Sequence, residues 1–179
     1  MKELSLNILD IAQNSITAGA SAVTVEVTDS QGADAVEIVI SDDGCGMEED
    51  FLRRVTDPFT TSRTTRKVGL GVPLFKLAAE MAGGDFDIRS APGKGTVVTA
   101  RFQRSHIDRP PLGDLTGTVI AIVQGNPDLN LVFRHSTDAG SYEFSAALIR
   151  EELGGIPLDE PEILTWISEW LTENEAGLY

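Results

Sequence analysis

The chain of 179 residues is poor in the residues that build disulfide frameworks and metal sites. It contains one cysteine, Cys45, so it cannot form an internal disulfide. Its two histidines, His106 and His135, have no acidic partner at a metal-ligand spacing. These shortages argue against a disulfide-stabilised fold and against a zinc site.

Long hydrophobic runs are also missing from the sequence. No stretch comes close to the roughly 18 consecutive apolar residues that a membrane-spanning helix needs. The first residues, MKELSLNILDIAQNS, lack the charge pattern and the small-residue cleavage site of a secretory signal. We therefore expect a cytoplasmic protein with no membrane partner.

Positive charge is scarce and unevenly distributed. The chain has 14 Lys and Arg against 28 Asp and Glu, a net charge of −14, which repels a nucleic-acid backbone and makes nucleic acid an unexpected partner. Residues 1–104 carry a net charge of −4 and residues 105–179 a net charge of −10. This change predicts a first domain over residues 1–104, a linker over 105–115 and a small acidic α/β unit over 116–179.

Apolar periodicity predicts a mixture of helices and strands, and hence an α+β fold. In the first domain we predict helices over 1–18, 48–55 and 69–82, and strands over 22–28, 35–41, 85–91 and 95–103. In the acidic unit we predict strands over 116–123, 131–136 and 141–145, and helices over 146–153 and 162–173.

The first candidate site is a pair of polar residues on the first predicted helix. Asp10 and Asn14 are four residues apart, so they share one helix face. The amide oxygen of Asn14 suits a Mg²⁺ ion that keeps waters and phosphate oxygens as its other ligands. The carboxylate of Asp10 could hold or deprotonate a water or hydroxyl. A solvent-facing pair without a function is the alternative.

Two glycine motifs follow predicted element boundaries. Gly44 and Gly46 would let the backbone approach a flat ligand, and Asp42 at a strand end could accept a hydrogen bond from an adenine amino group. Gly69 to Gly71 opens a helix, where free N–H groups favour an anion. An Asp-Gly turn and an ordinary helix start are the simpler explanations of the two motifs.

A basic segment precedes the second glycine motif. Five of the 14 Lys and Arg residues lie between residues 53 and 67 of this acidic chain. A local positive charge beside a phosphate-binding turn is electrostatically favourable. The hairpin sequence of residues 93–96, taken alone, predicts only a turn.

In this order, the motifs resemble those of the Bergerat-fold (GHKL) ATP-binding superfamily, which includes gyrase, heat-shock chaperones, histidine kinases and MutL. The resemblance covers about residues 1–104, and residues 69–102 are most similar to the histidine-kinase catalytic domain. The segments that carry it are residues 10–15, 18–20, 42–47, 59–61, 69–72 and 93–96.

The resemblance implies a two-layer α/β sandwich, in which helices cover one face of a mixed sheet, with ATP and Mg²⁺ as cofactors. It implies that Asn14 coordinates Mg²⁺ and that Asp42, with Thr96 nearby, binds the adenine amino group. Residues 60–67 would form a lid over the nucleotide. The other implied nucleotide contacts are Gly44, Gly46, Met47, Thr60, Thr61, Arg63, Lys67, Gly69, Leu70, Gly71 and Val72.

The sequence departs from the superfamily pattern at two points that bear on function. Asp10 stands where related ATPases often have glutamate, and neither histidine lies on a helical hairpin that could accept a phosphoryl group. We therefore predict a stand-alone regulatory kinase in signal transduction, which phosphorylates a protein partner in trans with Asp10 as the candidate base. A nucleotide-gated binding module or weak ATPase without phosphotransfer is the alternative. We expect the acidic unit to bind a protein partner or to form a homodimer.

Overall fold

The computed structural model describes residues 3–57 and 69–179, which form six helices and six strands. The elements are α1 (Leu4–Thr17), β1 (Ala22–Ser30), β2 (Ala35–Asp42), α2 (Glu49–Val55), α3 (Gly71–Met81), β3 (Phe86–Ser90), β4 (Thr96–Gln103), α4 (Leu115–Gly125), β5 (Asn130–Thr137), β6 (Gly140–Ser145), α5 (Ala146–Leu153) and α6 (Pro161–Ala176). No helix among these is both long and apolar enough to cross a bilayer.

The six strands form one mixed sheet in the order β3-β4-β2-β1-β5-β6. β1 runs parallel to β5, and the other neighbouring strands are antiparallel. β1 and β2 form a hairpin, and Asp42 at the end of β2 pairs in register with Thr96 at the start of β4. The sheet therefore brings two of the predicted site residues side by side.

One face of the sheet is buried under helices. Alternate residues of the central strands point into the core, for example Val25, Ile38, Val98 and Phe133. Helices α3, α1, α4 and α6 pack side by side in this order above them. The predicted α+β class and two-layer sandwich are confirmed.

Ion pairs cover much of the opposite face of the sheet. Arg101 on β4 lies between Glu37 and Asp85, with nitrogen–oxygen distances of 2.5 and 2.9 Å. Arg134 on β5 pairs in the same way with Glu26, at 2.5 Å, and with Glu143. Each arginine thus forms ion pairs with two carboxylates on neighbouring strands or next to them. These charged side chains are partly exposed to solvent.

The acidic C-terminal stretch extends the same sheet and the same core. β5 pairs with β1 over eight residues, and α4 packs between α1 and α6. The division into residues 1–104 and 116–179 stays a prediction as a domain boundary. The sheet and the buried core continue across it.

The strand predicted over residues 116–123 is wrong, because Leu115–Gly125 is helix α4. The segment TGTVIAIV is apolar and rich in β-branched residues, which is typical of a buried strand as well as of a buried helix. Its buried residues Leu115, Val119, Ile122 and Val123 follow a helical spacing. The side chain of Asp114 also accepts a hydrogen bond from the backbone N–H of Gly117, which begins the helix.

A buried polar cluster attaches α6 and the last residues to the sheet. The His135 side chain on β5 is fully buried, and its Nδ1 lies 2.8 Å from Oε1 of Glu175 on α6. Tyr142 on β6 donates to the same Glu175 oxygen at 2.5 Å. Tyr179 donates to Asp29 on β1 at 3.0 Å, and its hydroxyl lies 3.5 Å from Nε2 of His135. Side chains from three strands, α6 and the C-terminal residue therefore share one network.

The pKa of Glu175 is set by opposing effects. Burial raises it, but the hydrogen bonds from His135 and Tyr142 lower it, and the net effect is a pKa below the ordinary value of 4.5. Because the folded pKa is depressed, the contribution of Glu175 to stability is complete above pH 4.5 and is lost as the pH falls below that value.

We predict that Glu175→Gln removes this part of the pH dependence. From about pH 5 down to about pH 3, the free energy of unfolding of the wild type should fall more steeply than that of Glu175→Gln, as measured by urea denaturation at a series of pH values. Glu169→Gln, at an exposed position on the same helix, is the matched control and should follow the wild type. If the free energy of unfolding changes with pH in the same way in wild type and in Glu175→Gln, Glu175 does not contribute to the pH dependence.

Candidate functional site

A cavity of about 690 Å³ lies between the C-terminal half of α1, the loop after β2 and the adjoining ends of β2 and β4. Its walls are mainly apolar, with a few polar groups at defined positions. The lining residues are Ile11, Asn14, Ser15, Thr17, Ala18, Gly19, Asp42, Cys45, Gly46, Met47, Glu48, Phe51, Val72, Ile88, Thr96 and Val98.

The carboxylate of Asp42 is held by donors on both of its oxygens. The backbone N–H of Gly44 donates to Oδ1 at 2.9 Å. The hydroxyl of Ser15 on α1 donates to Oδ2 at 2.6 Å. These bonds fix the orientation of the carboxylate at the edge of the cavity and leave only acceptor positions free on it.

Thr96 lies beside Asp42 on the neighbouring strand, and its hydroxyl belongs to a small network. The Ser90 hydroxyl lies 2.9 Å from Thr96 Oγ1, 2.8 Å from the Gly95 carbonyl oxygen and 2.9 Å from the Met47 backbone nitrogen. Ser90 therefore connects the end of β3, the start of β4 and the loop after β2 at one point.

Two glycines allow backbone segments to pack closely beneath this loop. A Cβ atom at Gly95 would lie 1.9 Å from the carbonyl oxygen of Asp42, and one at Gly46 would lie 1.9 Å from that of Ala91. Both glycines also have positive φ, of +73° and +69°. Gly46 therefore has a contact with the protein backbone that requires glycine, and its expected approach to a ligand stays a prediction.

Further hydrogen bonds fix the loop after β2. Asp43 accepts from the backbone N–H groups of Ser21 and Ala22 at 2.8 and 2.9 Å and from the Ser21 hydroxyl at 2.5 Å. The hydrogen bond from the Ser21 hydroxyl is the main reason why the pKa of Asp43 lies below its ordinary value. Cys45 donates its N–H to Ala18 O at 2.9 Å. The loop is thus attached to both ends of the α1–β1 connection.

Asn14 and Asp10 occupy different surroundings although they share a face of α1. Asn14 is half-buried and lines the cavity. Asp10 is exposed and lies against the start of α3, where a Cβ at Gly71 would be 3.1 Å from Asp10 Cβ. The partial loss of water at this contact raises the pKa of the Asp10 carboxyl.

The N-terminus of α3 lies at one side of the cavity. Val72 lines the cavity, and the buried Gly71 contacts α1. Leu70 precedes the helix, and its apolar side chain cannot accept a hydrogen bond. The first N–H groups of α3 therefore have no side-chain cap. Gly69 and Leu70 are exposed.

The structure brings six of the predicted site residues to the cavity: Asn14, Asp42, Gly46, Met47, Val72 and Thr96. Gly44 lies behind Asp42, and Asp10, Gly69, Leu70 and Gly71 adjoin the α3 side without lining the cavity. The predicted lid, with Thr60, Thr61, Arg63 and Lys67, lies outside the described residues.

The sequence patterns did not identify the apolar walls of the cavity or Ser90. Ile11, Phe51, Ile88 and Val98 form much of the walls. Ile11 precedes Asn14 by almost one helical turn, and Val98 follows Thr96 on the same face of β4, so their spacing could have shown them. Ser90 carries no such signal, because its partners come from two separate segments, the loop after β2 and the start of β4.

Comparison with known proteins identifies the family. The sequence model described as "Histidine kinase-, DNA gyrase B-, and HSP90-like ATPase" matches residues 1–106. The chain belongs to this family. Within it, the ATPase domain is like those of sensor histidine kinases, with which it shares sequence similarity.

The relatives include three bacterial proteins. The Non-motile and phage-resistance protein of Caulobacter vibrioides is 31% identical over 115 residues, which are 61% of this chain and 14% of that protein. Sporulation kinase E of Bacillus subtilis is 36% identical over 98 residues, 54% of this chain and 13% of the kinase. AtoS, a signal transduction histidine-protein kinase of Escherichia coli, is 34% identical over 101 residues, 55% of this chain and 16% of that kinase. The chain thus matches under a fifth of each.

A solved structure supports the fold assignment. The MutL ATPase domain of Aquifex aeolicus, complexed with ADP, aligns with a TM-score of 0.50 and 11% sequence identity, over 87% of this chain and 68% of that one. At this identity the similarity concerns the fold. Because the alignment covers most of this chain, it extends past the 106 residues that the family model matches.

We predict that Gly95→Ala disrupts the site and that Gly93→Ala does not. Both residues have a positive φ, but a Cβ at Gly95 would collide with Asp42 O, whereas nothing lies within 4 Å of a Cβ at Gly93. Gly93→Ala should cost only the backbone strain of about 1–2 kcal/mol, and Gly95→Ala about 3 kcal/mol or more. Urea denaturation measures both. Equal losses of unfolding free energy in the two variants would contradict the close contact between Gly95 and Asp42.

Proposed function

We propose that this chain binds Mg·ATP in the cavity beside α1 and transfers its γ-phosphoryl group to a protein partner in trans. The observation that carries the proposal is the convergence of Asn14, Asp42 and Thr96 on one cavity. These residues come from α1, β2 and β4, and the family to which the chain belongs is one of ATPases.

The cavity suits an adenine nucleotide in size and in chemistry. Its volume of about 690 Å³ lies in the range of small-molecule sites. Its apolar residues, among them Ile88, Val98 and Phe51, can pack against a flat ring. Asp42 and Thr96 supply polar groups at one end. An apolar slot with a few oriented polar groups is the usual composition of such a site.

The residues present also fit a magnesium ion. Asn14 offers an amide oxygen to the cavity, and Asp10 lies one helical turn away. Over residues 3–57 and 69–179, no group of three or more His, Cys, Asp or Glu could hold a metal. A single protein ligand is compatible with Mg²⁺, which retains several waters and binds phosphate oxygens. When bound, it neutralises phosphate charge.

The start of α3 provides a place for the phosphates. Its first N–H groups lack a side-chain cap, and the positive end of the helix dipole lies there. Asp10 contacts this end at Gly71, and its raised pKa brings the carboxyl nearer to the range in which it can accept and release a proton. We therefore assign Asp10 as the group that orients or deprotonates the acceptor hydroxyl.

Incubation with γ-labelled ATP tests the transfer step. The purified chain would be incubated alone and with the proteins encoded by neighbouring genes. Label on a partner protein, and its loss in Asp10→Ala, would support the kinase. Binding of ATP with neither labelled protein nor released phosphate would contradict it.

One observation favours a second function, a nucleotide-gated binding module or weak ATPase. Asp10 is exposed and does not line the cavity, and its side chain is one carbon shorter than glutamate. A base that does not line the cavity would leave nucleotide binding intact but make phosphoryl transfer slow. Slow phosphate release without labelled protein is the outcome that this function predicts.

We predict that Asp42→Asn weakens ATP binding about tenfold or more. Asparagine would keep one oxygen for the N–H of Gly44 and place an amide N–H at the position of Oδ2, where it would face the donating amino group of adenine, which costs about 1–3 kcal/mol. Isothermal titration calorimetry measures the affinity. Asp43→Asn is the control, because Asp43 also accepts from backbone N–H groups and a serine hydroxyl but does not line the cavity, so its affinity should stay near wild type. Unchanged affinity in Asp42→Asn would refute the adenine assignment.

We predict that Asn14→Ala mainly removes the effect of magnesium on nucleotide binding. In the wild type, ATP should bind more tightly with Mg²⁺ than with EDTA, and this difference should shrink in the variant because the amide ligand is absent. Calorimetry in both buffers gives the ratio of the ATP affinity with Mg²⁺ to the ATP affinity with EDTA. Gln13→Ala, at the exposed neighbouring position on α1, should keep the wild-type ratio. A wild-type ratio in Asn14→Ala would show that Asn14 is not a ligand.

A further inference from the structure

We infer that Ser90 determines the nucleobase specificity of the cavity by fixing the hydroxyl of Thr96 as a hydrogen-bond acceptor. The inference rests on the proposed function, because it concerns the base that the cavity would bind. It makes Ser90 a positioning residue: Thr96 and Asp42 contact the base, and Ser90 acts through Thr96.

The three contacts of the Ser90 hydroxyl can be satisfied together in one way. The backbone N–H of Met47 can only donate, and the carbonyl of Gly95 can only accept. The single proton of Ser90 must therefore go to Gly95 O. The remaining contact, 2.9 Å from Thr96 Oγ1, then requires the proton of the Thr96 hydroxyl.

Thr96 consequently presents lone pairs to the cavity, since its proton is used on Ser90. Asp42 is its cross-strand neighbour, and its carboxylate offers no donor either. Ser15 and Gly44 already occupy part of the acceptor capacity of that carboxylate. The two adjacent polar groups at this end of the cavity are therefore both acceptors.

This arrangement favours a purine with an amino group at position 6 over one with an oxo group. An adenine amino group brings two hydrogens to the two acceptors, whereas the oxygen of guanine or hypoxanthine would face their lone pairs. Without Ser90, the Thr96 hydroxyl can rotate and donate to an oxo group. Removal of Ser90 should therefore relax the preference as well as weaken binding.

Calorimetry with ADP and inosine diphosphate tests the inference. We expect the wild type to bind ADP at least about tenfold more tightly, because a buried acceptor left facing an acceptor is costly. In Ser90→Ala both affinities fall, since Met47 N–H loses its partner, but the ADP preference should also fall about fivefold. Ser90→Thr keeps the hydroxyl and should retain the preference.

The preference separates a specificity role from a merely structural one. If both nucleotides weaken equally in Ser90→Ala, or if the wild type binds both alike, the inference is overturned while the proposed function stands. If the wild type binds no ADP, the proposed function itself fails. Thermal melting checks folding. If Ser90→Ala does not fold, Ser90→Cys is used, because its thiol is a weak partner of similar size. An unchanged preference in that variant overturns the inference.

Discussion

The site depends on the close backbone contact between Gly95 and Asp42. This contact sets the start of β4 directly against the end of β2, so that Thr96 and Asp42 become cross-strand neighbours. Ser90 then reaches the loop after β2, and Ser15 reaches Asp42 from α1. Without an approach that only glycine permits, these polar groups would not meet at one end of the cavity.

The C-terminal stretch contributes to the sheet that positions this site. The parallel pairing of β5 with β1 leaves β1 between two strands, and the cluster around His135 attaches α6 to the sheet. β1 and the start of α1 are therefore supported from the side away from the cavity. The negative charge of this stretch remains at the surface, where residues such as Glu151 and Asp159 are exposed.

The sequence was sufficient to predict the fold class, most elements and the residues at the polar end of the cavity. Asp42 was predictable because it stands at the end of a predicted strand. Asn14 was predictable because its spacing from Asp10 along a helix fixes the face on which it lies. The helix α4 was not, because a wholly apolar, β-branched run has no periodicity that separates helix from strand. Ser90 was not, because its role depends on contacts with Met47 and Gly95 that only the folded loops create. The backbone contact of Gly46 was not predictable for the same cause: its neighbour Ala91 is remote in sequence.

The charged face of the sheet limits how two copies could associate. Each cross-strand group, one centred on Arg101 and one on Arg134, combines a single guanidinium with two carboxylates and so has an excess of negative charge. Two such faces stacked on each other would repel, and burying them would also strip water from every ion pair. Homotypic stacking through this surface is thus opposed at low ionic strength, and it becomes less unfavourable as added salt screens the repulsion.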